Sequence, residues 1–249
     1  MARHDTDMPR ALAILLVALI SVSLVASAGC ESKRRVPDLM LNPPELTYLA
    51  LGDSYTIGES VKPELRWPDL LVARLRARDL NVVDPIIVAQ TGWTTDELAA
   101  AIDAHPELAG RKFDLVTLLI GVNNQYRGRD PEEYRTQFVQ LLNRAIGFAG
   151  GDPAHVVVLS IPDWGATPFA QGRDRDRIGR EIDQFNSINR EETLRAGTRY
   201  VDITPISRDQ RSLVAEDNLH PSGDMYRLWA NSVLPEAFDA LTFKPRPGK

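Results

Sequence analysis

Cysteine is almost absent from this chain: Cys30 is the single cysteine among 249 residues, beside four histidines. One cysteine cannot form a disulfide within the chain, and so few soft ligands argue against a structural zinc site. A basic excess is also missing, because 29 Lys and Arg face 34 Asp and Glu and leave a net charge of -5. A nucleic-acid partner is therefore not expected. With 43% hydrophobic and 25% charged residues, the composition is that of an ordinary globular protein.

The N-terminal segment has the layout of an export signal. Arg3 and Arg10 stand in a polar start, and an almost unbroken apolar run follows over residues 11–29. The run ends in Ser27-Ala28-Gly29-Cys30, after which charged residues begin. Small residues at that point are typical of a cleavage site. We therefore predict that residues 1–29 are a signal peptide.

The position of Cys30 indicates how the chain would be held at a membrane. A cysteine directly after Ala-Gly resembles the bacterial lipobox, in which that cysteine becomes the lipidated first residue of a lipoprotein. The apolar run is also long enough to span a bilayer as an uncleaved anchor, and an ordinary buried helix is a third interpretation. In the first two cases the rest of the chain works in the cell envelope, facing the periplasm or the exterior.

The remaining chain predicts a tether followed by one domain. Residues 30–44 have little periodicity and end in Pro43-Pro44, which stops any helix. Residues 45–249 are enough for one well-buried domain. Strand-length apolar runs alternate there with segments of helical period. The predicted strands are 46–51, 82–89, 114–120, 155–160 and 200–203, and the predicted helices are 67–78, 94–104, 131–149, 174–196 and one after Pro221.

This alternation predicts an α/β fold with a mostly parallel, doubly wound sheet of about five strands and helices on both faces. Pro85 in the second predicted strand indicates an edge position or a bulge. Sheets of this kind bind ligands at the carboxyl ends of their strands. Candidate site residues are therefore expected directly after the strands.

Polar or small residues stand where three predicted strands end. Ser54 follows Gly52-Asp53 at a turn that could expose a nucleophile beside backbone N–H donors. Gly92 follows the second strand, where glycine permits close backbone approach or a positive φ. Asn123 and Asn124 follow the third, and an asparagine amide can donate to a developing oxyanion. Each also has a plainer interpretation as a turn or cap residue, and the pentapeptide Gly-x-Ser-x-Gly is absent.

His220 is the best candidate for a general base. It lies three residues after Asp217, and one turn of chain would bring that carboxylate to the imidazole Nδ1 and fix its tautomer. The other three histidines lie away from the expected site: His4, His105 and His155.

Together these stretches resemble the four sequence blocks of the SGNH (GDSL-type) hydrolases. Gly52-Asp53-Ser54, Gly92, Gly121-Val122-Asn123 and Asp217-x-x-His220 match the blocks in order, and the resemblance covers nearly all of residues 46–240. The segment 160–165 is similar to one that follows the fourth strand in bacterial members. The resemblance implies a three-layer α/β/α, flavodoxin-like fold and ester hydrolysis with neither metal nor cofactor.

The resemblance also implies a role for each of five residues. Ser54 would be the nucleophile and His220 the general base and then the general acid, with Asp217 orienting the histidine. The N–H groups of Ser54 and Gly92 and the side chain of Asn123 would form the oxyanion hole. A serine at its free pKa is a weak nucleophile, which is why the histidine is needed.

Several alternatives stay open at this point. The same triad serves short- and medium-chain esterases, lipases, acyltransferases and carbohydrate or peptidoglycan O-acetylesterases, and a non-catalytic surface lipoprotein on this fold is a further alternative. No long apolar lid separates the strands, which favours short or medium esters. The substrate is expected to be a small-molecule or glycan ester, and the sequence leaves the oligomeric state open.

Four residues near the expected site have two interpretations each. Tyr55 and Trp93 either line an acyl or sugar pocket or are packing residues without a role in binding. Arg127 and Arg129 either bind an anionic headgroup of the substrate or belong to a surface loop that binds nothing. The mixed-sign run 173–177 is typical of a solvated helix start.

Overall fold

A computed structural model describes residues 44–242 of the chain. The predicted signal peptide, residues 1–29, and all but the last residue of the predicted tether, residues 30–44, lie outside the described residues. None of the helices among residues 44–242 has the length and apolar character needed to cross a bilayer.

The described chain alternates strands with helices. The strands are β1 Tyr48–Gly52, β2 Ile86–Ala89, β3 Leu115–Leu119, β4 Val156–Leu159 and β5 Arg199–Val201. The helices are α1 Ser54–Ile57, α2 Trp67–Arg76, α3 Thr95–Asp103, α4 Val122–Tyr126, α5 Pro131–Phe148, α6 Arg175–Arg195, α7 Thr204–Asp209 and α8 Gly223–Thr242.

The strands form one parallel sheet in the order β2-β1-β3-β4-β5. Helix α2 packs against α8, whereas α5 packs against α3 and α6, so the sheet lies between two helical layers. Every residue of β1, β3 and β4 is buried, which explains their continuous apolar sequences. The predicted α/β/α fold with about five parallel strands is confirmed.

The edge position predicted for the second strand is also confirmed, because β2 is the last strand on one side of the sheet. The strand is shorter than predicted: Pro85 has no N–H to donate, and the regular pairing begins after it, at Ile86. Val82 pairs only through an isolated bridge with Leu46, so the predicted first strand also begins later, at Tyr48.

Local capping signals account for the helix starts that the sequence predicted. The Asp130 side chain accepts hydrogen bonds from the N–H groups of Glu132 and Glu133 at the start of α5. Thr94 and Glu97 form a capping box at α3. Helices α1, α4 and α7 were not predicted. Each has only four to six residues, too few to show a helical period.

The close approach of β1 to β3 requires glycine at position 52. A Cβ atom on Gly52 would lie 2.2 Å from Thr56 Oγ1 and 2.6 Å from the Leu119 carbonyl oxygen. Any side chain there would force the first turn of α1, which begins with Ser54, away from the sheet.

We expect Gly52→Ala to lower the free energy of unfolding by ~1–3 kcal/mol, because the added methyl group overpacks this contact. Gly147→Ala is the matched control: this exposed glycine in α5 has no atom within 4 Å of the added Cβ. Its substitution should stabilise by ~0.5–1 kcal/mol. Urea unfolding of both variants measures the difference, and equal effects would contradict the steric explanation.

Candidate active site

The residues predicted for the site meet at the carboxyl edge of the parallel sheet. Ser54 begins α1 directly after β1, and Asn123 lies in α4 directly after β3. His220 stands in the loop before α8. All three line one cavity of about 190 Å³. The end of β2, with Gly92, lies beside it and contacts Asn123 through Trp93.

Ser54 is held at the first turn of α1 by Asp53. The Asp53 carboxylate accepts a hydrogen bond from the Tyr55 N–H at 3.0 Å and so caps this four-residue helix. Ser54 is 4% exposed, and its exposed part faces the cavity it shares with His220. The N–H groups of Tyr55, Thr56 and Ile57 at this helix start are engaged by Asp53.

His220 is oriented by Asp217. The imidazole Nδ1 lies 2.7 Å from Asp217 Oδ2, which leaves Nε2 as the ring nitrogen free to act in the cavity. The other carboxylate oxygen accepts the N–H groups of Leu219 and His220, each at 2.9 Å. Asn218 takes a φ of +62° to make this turn, a conformation that asparagine tolerates better than most residues.

Ser60 is a partner of Asp217 that the sequence does not indicate. Its hydroxyl donates to Asp217 Oδ2 at 2.6 Å, across 157 positions of sequence. Burial acts to raise the pKa of Asp217, but the hydrogen bonds from Ser60, His220 and the main chain outweigh it and bring the pKa to about 2. The Asp217 carboxylate is therefore charged throughout the neutral and mildly acidic range. No local pattern marks Ser60 as part of the site.

The two adjacent asparagines have different positions. Asn123 faces the cavity, and its amide donates one hydrogen bond to the Trp93 carbonyl at 2.8 Å. That bond fixes the amide plane and leaves the second N–H for a ligand. Asn124 is fully buried and joins α4 to α3 through two hydrogen bonds with Thr95. Of these two asparagines, only Asn123 is a candidate oxyanion donor.

Gly92 occupies a turn that needs glycine, with a φ of +88°. The Arg127 guanidinium donates to the Gly92 carbonyl at 2.6 Å and pairs with Glu97 at 3.1 Å. Arg129 pairs with Asp96 at 2.7 Å. Of the two interpretations of these arginines, the anionic-headgroup one is not supported, because both already have carboxylate partners. Arg127 instead holds the turn that carries Gly92.

Aromatic rings form the walls of the cavity. Tyr55 is buried behind His220, with ring centroids 5.8 Å apart, and packs on Trp229 as well. Both interpretations therefore hold for Tyr55, which lines the cavity and also packs in the core. Trp93 packs against the core and is not among the residues that line the cavity. Tyr126, Trp164 and Phe169 form the remaining aromatic wall. The Phe169 N–H donates to the Asn218 carbonyl at 3.0 Å, which ties this wall to the histidine loop.

Asp53 carries a buried and incompletely bonded carboxyl group next to Ser54. One oxygen caps α1, but Oδ2 has no hydrogen-bond partner among the described residues, and the residue is 1% exposed. Burial raises the pKa of Asp53 to about 7, against the lowering effect of the Tyr55 N–H. The group is thus neutral over much of the acidic range.

Residues 44–242 contain no group of three or more His, Cys, Asp or Glu side chains arranged to hold a metal ion. The prediction that no metal or cofactor takes part stays a prediction.

Comparison with known proteins identifies the class to which this chain belongs. The profile of the GDSL-like lipase/acylhydrolase family matches residues 50–228. The chain belongs to this family, and it is therefore a hydrolase of carboxylic esters. No curated protein matches the chain.

Solved structures share the fold at low sequence identity. The crystal structure of TesA superposes with a TM-score of 0.62 at 21% identity, covering 78% of this chain and 99% of TesA. Axe2, an acetylxylan esterase from Geobacillus stearothermophilus, gives 0.60 at 20% identity, covering 80% and 95% of the two chains. The lipase/acylhydrolase from Enterococcus faecalis gives 0.59 at 20%, covering 82% and 100%.

The raised pKa of Asp53 predicts a pH-dependent stability that Asp53→Asn should remove. The folded protein binds this proton more tightly than the unfolded chain, so the contribution of Asp53 to stability falls as pH rises from ~4 to ~7. We expect the variant to gain a few kcal/mol relative to the parent between ~pH 4 and ~pH 8, at ~1.4 kcal/mol per unit of pKa shift. Urea unfolding at both pH values measures this gain, and a difference that does not change with pH would contradict it.

Proposed function

We propose that this ester hydrolase acts through an acyl-enzyme on Ser54, with His220 as general base and Asp217 as its orienting partner. The observation that carries the proposal is the 2.7 Å contact between His220 Nδ1 and Asp217 Oδ2, in a histidine that shares one cavity with Ser54. With Nδ1 engaged, Nε2 is the nitrogen that takes the serine proton and returns it to the leaving alcohol.

The oxyanion of the tetrahedral intermediate would be stabilised by three donors. We assign these to the N–H groups of Ser54 and Gly92 and to the free N–H of the Asn123 amide. The hydrogen bond from Asn123 to Trp93 supports this assignment because it orients the amide before substrate arrives. Arg127 donates to the carbonyl of Gly92 and so restrains the turn that carries the Gly92 N–H. Such preorganised donors need no rearrangement as charge develops.

The substrate that fits best is an ester of a short or medium acyl group. The cavity of about 190 Å³ is smaller than the ~300–1,000 Å³ that encloses a drug-sized ligand. Its apolar walls, including Val122 and Leu219, suit an acyl chain. O-acetyl esters of carbohydrates are the second candidate. They are favoured by the same small volume and by the similarity to the acetylxylan esterase Axe2.

We also propose that the chain is exported and anchored at the cell envelope, with lipid on Cys30 as the anchor. The support is the apolar run of residues 11–29 and the small residues before the cysteine. Mass spectrometry of the mature N-terminus tests this, and an unmodified Cys30 or an intact residue 1 would contradict it.

A graded loss of activity tests the catalytic assignment. Ser54→Ala and His220→Ala should abolish turnover of a p-nitrophenyl ester series from acetate to palmitate, whereas Asn123→Ala should lower kcat by ~10²–10³. Ser60→Gly suits the φ of +66° at that position and removes the side chain whose hydroxyl donates to Asp217. It should lower kcat by up to about tenfold.

The measurement is steady-state hydrolysis by the full chain in detergent, with circular dichroism to show that each variant folds. Wild-type activity in Ser54→Ala or His220→Ala would refute the assignment. The chain-length optimum of the parent then separates the candidate substrates: an optimum at acetate favours the carbohydrate acetylesterase, and one at octanoate or beyond argues against short esters.

A further inference from the structure

Arg173 lies against three aromatic rings at the edge of the candidate active site. Its guanidinium carbon is 5.0 Å from the ring centroid of Phe169, 5.3 Å from that of Trp164 and 5.6 Å from that of Tyr126. Each distance is within the ~6 Å range of a cation–π interaction. Three such contacts hold the planar group in one place just before α6, although Arg173 itself is exposed.

The same rings separate two hollows. Tyr126, Trp164 and Phe169 line the 190 Å³ cavity that holds Ser54 and His220. Tyr126 and Trp164 also line a neighbouring hollow of about 480 Å³, and Arg173 faces that hollow. A substrate whose acyl group fills the smaller cavity can therefore extend its alcohol part past these rings toward Arg173.

Of the three arginines that line this hollow, only Arg173 has no acidic partner among residues 44–242. Arg129 and Arg177 line the same hollow, but they pair with Asp96 and Glu181 at 2.7 Å each. Arg127, nearer the cavity, pairs with Glu97. Within residues 44–242, Arg173 forms no ion pair and its guanidinium donates no hydrogen bond; its contacts are with ring faces. The rings carry no formal negative charge, so the charge of Arg173 is not neutralised. The N–H groups in the plane of its guanidinium stay available to a hydrogen-bond acceptor.

A guanidinium held in this way is prepared for an anion. Its five N–H donors lie in one plane and match a carboxylate or a phosphate with two parallel hydrogen bonds. The ring contacts restrict its rotamers beforehand, so less conformational entropy is lost when an anion binds.

We propose that Arg173 is a specificity-determining residue that binds a carboxylate or phosphate on the alcohol part of the ester substrate. The proposal rests on the ester hydrolysis assigned to Ser54 and names a substrate class for that site. The competing explanation is that Arg173 only covers the rings. In that case its loss would affect all esters alike, through the aromatic wall.

Matched esters with the same acyl group separate these explanations. The neutral ester is para-carbamoylphenyl butyrate, and the anionic ones are para-carboxyphenyl butyrate and para-phosphonooxyphenyl butyrate. With Arg173→Gln in the full chain, kcat/KM for the anionic esters should fall by about fivefold or more. The value for the neutral ester should change less than about twofold. The two anionic esters show which of the two groups is preferred.

Arg177→Gln is the control, because it removes an ion-paired arginine from the same hollow. It should leave the ratio of anionic to neutral kcat/KM unchanged. Added salt should lower the ratio in the parent and have little effect in Arg173→Gln, since screening acts on an exposed charge.

Equal changes for all three esters, or none, would overturn the proposal. Failure of the parent to hydrolyse even the neutral ester would instead refute the proposed function, so the two failures are distinguishable.

Discussion

The burial of the parallel sheet on both faces is the constraint on which the rest of the structure depends. In β1 and β3 every side chain is enclosed, so along these strands a polar group without a partner would be costly. The polar side chains within these strands, Tyr48 and Thr117, bond each other, and the polar groups of the candidate site lie where the strands end. The glycine at position 52 allows β1 to reach its end in close contact with β3, and the nucleophile candidate follows within two residues. The site is a product of the same packing that stabilises the domain.

Much of this organisation was predictable because it depends on local sequence. The alternation of apolar runs with segments of helical period predicted a parallel sheet with helices on both faces. Asp130-Pro131 indicated where α5 begins. The five candidate site residues lie at strand ends or before the last helix, and four of them fall within short motifs. The separation of three between Asp217 and His220 permits their contact in a single turn.

The contacts that support those residues were not predictable, because they join distant parts of the chain. Ser60 reaches Asp217 across 157 positions and Arg127 reaches Gly92 across 35. Neither has a local spacing that indicates its partner. The same holds for Asn124, which looked equivalent to Asn123 in sequence but is turned into the interior. Short helices such as α4 depend on these tertiary bonds and carry little periodicity of their own.

The hydrogen bond from the Phe169 N–H to the Asn218 carbonyl has a consequence for the evolution of new substrate preferences. It couples one wall of the cavity mechanically to the loop of His220, so a change of shape on that side alters the placement of the base. Val122, which also lines the cavity, belongs to α4, the helix that carries Asn123. Descendants of this enzyme that change acyl preference near Phe169 therefore require compensation in the histidine loop, and those that change it at Val122 must preserve the position of Asn123 in the same helix.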